Sequence, residues 1–283
     1  MTEARRQETA LRRILVALDA ASFSESALDS AAELAARLEA ELSGIFVEDL
    51  DLLRSAALPF VREYSLTSAG GADFDTTSVE HELKLLAAQA RRALEAAAAR
   101  TRVRHSFAVV RGQLAAALAA ASAGIDLVVL QGSCRPLARH LRLGAPGRSV
   151  AFGVASSVLL LEPGARLPRT VFVLFDEGAA GSKALAIAAR LALVAGSELV
   201  ALLEAADARE RARLERAVRD ALADETVNFR LEAVPAHDVA ALRARTRGAH
   251  PGLLVLAAGS PRFTEAERER LIDLLGCPLL LVR

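Results

Sequence analysis

The sequence predicts an α/β protein made of two copies of one parallel-sheet unit, and three observations carry that reading. Short apolar runs such as Leu127–Leu130 show no polar alternation, as expected of strands covered by helices on both faces. Segments with apolar residues at three-to-four spacing separate these runs, and alternating strands and helices build parallel sheets. A motif of basic residue, apolar strand and terminal carboxylate occurs twice, as RILVALD at Arg13–Asp19 and RTVFVLFD at Arg169–Asp176.

The elements follow in order. Arg13–Asp19 is the first strand, after which Ser22, Ser24 and Ser26 offer helix caps to an amphipathic helix over Ala27–Leu38. Leu42–Val47 is the second strand. Glu48–Ser78 reads as irregular, with one short helix and a polar loop through Gly70 and Gly71. Its apolar residues suit either a lid or partner surface or a loop packed over its own domain. Glu80–Arg100 is a long Ala-rich helix, Arg104–Val110 a strand, Arg111-Gly112 a turn and Gln113–Ser122 a helix. The stretch Ile125–Leu161 completes the unit with a buried strand, a Gly132-Ser133 loop, an arginine-rich connection, a glycine turn at Gly144 and a last strand. A Gly-rich turn between strand and helix is where anions are usually held, so any ligand is expected here.

Past a linker ending at Pro168 the pattern restarts. Ser182–Val194 matches the first helix and Glu198–Leu203 the second strand, while Ala208–Ala223 matches the long helix without the irregular insertion. Val227–Val234, Asp238–Arg245 and Leu253–Leu256 continue the series, Gly259-Ser260 parallels Gly132-Ser133, and Leu279–Val282 parallels the strand after Ser157. Two α/β units, over 1–163 and 169–283, are expected in preference to a single wound sheet of ten strands.

Composition narrows the function. Lys+Arg and Asp+Glu number 35 each, and aromatics are 4% with no Trp, which disfavours nucleic-acid binding. No apolar run approaches the ~20 residues of a membrane span, and the charged N-terminus does not read as a secretory signal. A cytoplasmic location is expected. Cys134 and Cys277 form no metal-ligand pattern and read as reduced thiols, and no metal is expected. The five histidines are scattered and no G-x-S-x-G turn occurs, so no catalytic residue is assigned and the chain reads as a non-enzyme, with a slow ATPase as the alternative, for which Asp19 is the one candidate base or metal ligand.

The succession RILVALD, LAARLEAELSGIFVED, VVRGQLAAAL and DLVVLQGS…LRLG…SVLLLEP resembles the universal stress protein family, and the repeat resembles its tandem form. The resemblance implies Rossmann-like domains, each with a five-stranded parallel sheet, in a cytoplasmic protein linked to stress. It also implies pairing along the fifth strands. Here Val158–Leu161 and Leu279–Val282 are placed to pair within one chain as an intramolecular pseudo-dimer, leaving a homodimer as a further expectation.

The same resemblance implies an adenine nucleotide such as ATP. Nucleotide-binding members carry a glycine, two residues, a second glycine, nine residues, then Gly before Ser or Thr. Gly132 matches the first position, followed by Ser133, and Gly144 matches the last glycine. Arg135 takes the second glycine position, Ala145 replaces the hydroxyl residue, and the spacing is one residue short. Asp19 matches the family's nucleoside-contacting acid, and Val47 and Gln131 fall near its adenine pocket. Arg135, Arg139, Arg142 and Arg148 are donors suited to phosphate, or else a solvated loop paired with carboxylates. Asp19 suits a ligand contact and a helix cap equally. The second unit lacks the later glycines and reads as a structural partner. The alternative to a nucleotide-binding regulator is a nucleotide-free protein-interaction scaffold.

Overall fold

A computed structural model of the chain describes residues 10–18, 25–50, 53–54, 62–63, 72–73, 76–131, 153–161, 168–235, 238–246, 252–260 and 277–283. The first half contributes β1 (Arg13–Leu18), α1 (Glu25–Leu38), β2 (Glu41–Asp49), the two-residue strands β3 (Arg62–Glu63) and β4 (Ala72–Asp73), α2 (Thr76–Thr101), β5 (His105–Gly112), α3 (Leu114–Ala121), β6 (Leu127–Gln131) and β7 (Ser157–Leu161). The second contributes β8 (Thr170–Phe175), α4 (Ala179–Ala195), β9 (Glu198–Glu204), α5 (Ala208–Ala221), β10 (Phe229–Val234), α6 (Val239–Thr246), β11 (Leu253–Ala257) and β12 (Leu279–Val282).

Ten strands share one sheet in the order β10-β9-β8-β11-β12-β7-β6-β1-β2-β5, while β3 and β4 pair separately. Each half is wholly parallel and winds outward from its first strand in both directions. The halves meet where β7 runs antiparallel to β12, pairing Val158 with Leu281 and Leu160 with Leu279. Two repeated units and a single ten-stranded sheet therefore coexist, because the fifth strand of each unit supplies the other's missing neighbour. The strands are buried on both faces, since parallel crossovers place helices there. Ile14, Leu42 and Phe46 pack under α1 and α2, and Val171, Val173 and Leu199 under α4 and α5. Leu15, Ile45, Val128 and Leu254 face the opposite layer with Leu118 of α3 and Leu242 of α6. At roughly 1.5–3 kcal/mol per large side chain removed from water, these two layers are the main source of stability.

Several boundaries move for physical reasons. β2 extends through Asp49 and β5 through Gly112, so Arg111 and Gly112 lie in a strand and not in the expected turn. The eight-residue register between β2 and β5 carries them, pairing Glu48 with Arg111 and Asp49 with Gly112. Helix α2 begins at Thr76, four residues before the sequence estimate. From the irregular segment, Leu50, Leu53 and Arg54 are helical, and Leu53 is buried in the core under α1 and α2, as a loop packed over its own domain would be.

Across the seam, Arg37 Nη1 of α1 donates to the carbonyl oxygen of Val194 in α4 at 3.0 Å. The two helices therefore tie the halves together on one side of the β7–β12 junction. Among the described residues, no helix is long and apolar enough to cross a membrane.

Candidate functional site

Because each half is parallel, the carboxyl ends of β1, β2, β5 and β6 converge on one rim, the usual place for ligands in open α/β sheets. β1 and β2 pair Leu18 with Phe46, so Val47 lies one residue past the last β1–β2 pair. Val47 is buried, in one cluster with Ala17 of β1 and Leu130 of β6. Val110, paired with Val47 across β2 and β5, and Leu114 of α3 pack against the same cluster. The first half therefore has an apolar floor whose central member, Ala17, is small. Gln131 ends β6 with its backbone paired to Leu161. Asp19, Gly132, Ser133, Arg135, Arg139, Arg142, Gly144, Ala145 and Arg148 lie outside the described residues, as do Cys134 and the helix expected at Glu265–Leu275.

The opposite face of this rim carries a charged group that sequence reasoning did not single out. Arg111 Nε donates to Glu48 Oε2 at 2.9 Å, and its Nη1 to Glu80 Oε1 at 3.2 Å. One guanidinium thus ties the ends of β2 and β5 to the first turns of α2. The Glu48 hydrogen bond, reinforced by the charges of Glu48 and Glu80, holds Arg111 above its ordinary pKa. The available signal was the carboxylate ending GIFVED opposite the arginine ending AVVRG, but cross-strand register is needed to see that they meet.

The second half shows what differs. The repeat runs without a gap through the first helix, Asp176 standing 157 positions after Asp19. On that spacing Leu174 replaces Ala17 and Glu204 replaces Val47. Both are deeply buried, Glu204 at 1% exposure. A bulky aliphatic group and a carboxylate therefore occupy the floor that is small and apolar in the first half. Asp176 is also buried, and Gly178 holds the N-cap position of α4 with no side-chain cap, so Asp176 is not the capping residue that a carboxylate at this point could be. It lies against the first turn of α4 instead. A Cβ on Gly181 would fall 2.0 Å from the Asp176 carbonyl oxygen and 2.1 Å from its Oδ1, so only glycine fits there.

Among the described residues, no group of three or more His, Cys, Asp or Glu could hold a metal. His81 and His105 are exposed on separate elements, and Cys277 is a buried thiol that forms no disulfide.

A family model described as "Universal stress protein family" matches residues 10–161. No curated protein sequence matches the chain. Among solved structures, a universal stress protein from Archaeoglobus fulgidus is similar with a TM-score of 0.73 at 15% identity, covering 97% of each chain. A structure from Pseudomonas aeruginosa described as a putative universal stress protein gives a TM-score of 0.60 at 16% identity, covering 98% of this chain and 94% of that one. The cytoplasmic domain of a prokaryotic cation chloride cotransporter gives 0.52 at 12% identity, with 95% and 94% covered. At these identities the structures establish a shared fold. The family match spans more than half of the chain, in the segments that build β1 to β7, and the chain belongs to the universal stress protein family.

Proposed function

We propose that this chain is a cytoplasmic, non-enzymatic regulator of the stress response that holds one adenine nucleotide in its first half, residues 1–163, with residues 169–283 as a structural partner. The contrast between the two floors carries the proposal. Ala17 and Val47 are apolar and of modest size, as the face of a flat ring requires, whereas Leu174 and Glu204 bring bulk and a carboxyl group to the equivalent positions. In this reading Asp19 accepts hydrogen bonds from the nucleoside, and Gly132 lets the backbone approach the ligand. Arg135 and Arg148 supply donors to phosphate oxygens, where the shortened glycine loop offers fewer N–H groups. That same shortened loop, with Ala145 in place of a hydroxyl residue, favours the second reading of a nucleotide-free scaffold.

Calorimetric titration with ATP distinguishes the two. Micromolar binding at one nucleotide per chain is expected, abolished in Gly132→Val and in Ala17→Leu, which installs the second half's residue. Melting curves of both variants separate a lost site from a lost fold. Absence of heat with the unaltered chain would leave the scaffold reading.

A further inference from the structure

We infer that the free edge of β5 is a self-association surface for a second copy of this chain, joined by antiparallel β5–β5 pairing. The fifth-strand edges are consumed inside the chain where β7 meets β12, so β5 and β10 are the outer strands of the ten-stranded sheet. The two edges are built differently. β10 is blunted by charge, with Arg230 paired to Glu198 and Glu232, and Arg245 also on Glu232. Charged edges of this kind resist pairing with another chain.

On β5 the charges sit at the ends. Arg104, just before the strand, is held by Glu41 at 3.0 Å, Arg111 by Glu48 and Glu80, and the middle, Ser106–Val110, carries neither charge nor proline. Val109 is 42% exposed, one of few large apolar side chains so open to solvent among the described residues. Leu42 N donates to Arg104 O, so Arg104 and alternate residues after it point their backbone groups at β2. His105, Phe107, Val109 and Arg111 then present N–H and C=O groups outward.

A two-fold axis normal to the sheet keeps each copy's faces aligned and pairs residues of like parity. Centred on Ala108, it sets Phe107 of one copy opposite Val109 of the other, an aromatic and β-branched pair of the kind that stabilises antiparallel ladders. The two copies of Arg111 are not set opposite each other there, because each meets His105 of the other copy. Paired edges of eight residues bury less than a standard interface, so the dimer belongs to the weak, concentration-dependent class.

Sedimentation velocity of the full chain at pH 7.5 from 1 to 200 µM tests this, beside Val109→Pro and Val109→Lys. Proline removes an outward N–H that β2 does not use, and lysine places charge at the centre of the edge. Far-UV circular dichroism and melting verify that each variant folds. The expected result is a reversible dimer whose dissociation constant rises at least tenfold in both variants, while Leu231→Lys on the β10 edge leaves it unchanged. A chain that stays monomeric throughout, or a dimer that survives both Val109 substitutions, would overturn the inference.

Discussion

Residues 39 and 196 offer a matched pair of substitutions with opposite expected signs. Helices α1 and α4 end in the same way. Glu39 N donates to Ala36 O at 3.2 Å and Ala40 N to Ala35 O at 2.8 Å, while Gly196 N donates to Leu193 O at 3.2 Å and Ser197 N to Ala192 O at 2.8 Å. This is the paired closure that satisfies the last carbonyls of a helix with one residue in the left-handed region. Gly196 adopts it at φ 64° and Glu39 at φ 55°. The left-handed conformation costs a residue with a Cβ roughly 1–2 kcal/mol, part of which glycine gives back through its greater freedom in the unfolded chain. Glu39→Gly should therefore stabilise the protein by about 0.5–1 kcal/mol, and Gly196→Glu should destabilise it by about 1 kcal/mol or more. For a chain of this size such changes move the melting temperature by about 2 °C in each direction. Calorimetric melting of both variants against the parent is the assay. A Glu39→Gly variant that melts lower, or a neutral Gly196→Glu, would refute the argument.

Gly181→Ala should be the most damaging glycine replacement in the second half. Its Cβ would sit 2.0 Å from a backbone oxygen that cannot swing away, so a clear drop in denaturation midpoint is expected, and an unchanged midpoint would contradict the packing. Arg111→Ala removes the cation that joins Glu48, buried at 8% exposure, to Glu80. Urea unfolding should show a lower midpoint than Glu80→Gln, because only the arginine variant leaves the buried carboxylate without its partner. Glu215 is held below the ordinary carboxylate pKa of 4.5, chiefly by the Arg211 hydrogen bond, with further help from the charges of Arg211 and Arg219. A depressed folded pKa means stability that is present above the unfolded pKa and lost as pH falls through the folded one. The stability advantage over Glu215→Gln should thus hold at neutral pH and shrink below about pH 4.5, and an advantage growing toward acid would contradict the assignment.

Much of the fold was legible because its signals are local. Apolar runs without alternation gave the buried strands, and RILVALD with RTVFVLFD gave the repeat. What stayed hidden depends on partners distant in sequence. The end of β5 looked like a turn because glycine is a frequent turn residue, yet β2 holds Arg111 and Gly112 in register. The meeting of Glu48, Glu80 and Arg111 required that register as well as the start of α2. The positive φ of Glu39 was invisible because glutamate does not advertise it, and only the twin Gly196 does. At the candidate site, Val47 was found through family resemblance. Ala17 was passed over because a small residue in a strand carries no signal until Leu174 is set beside it.

The most direct test of the central claim, a single nucleotide site in the first half, is native mass spectrometry of the full chain with ATP added at increasing excess. One bound nucleotide per chain is expected, retained in Glu204→Gln and lost in Ala17→Leu. Two nucleotides per chain, or one that persists in Ala17→Leu, would contradict it.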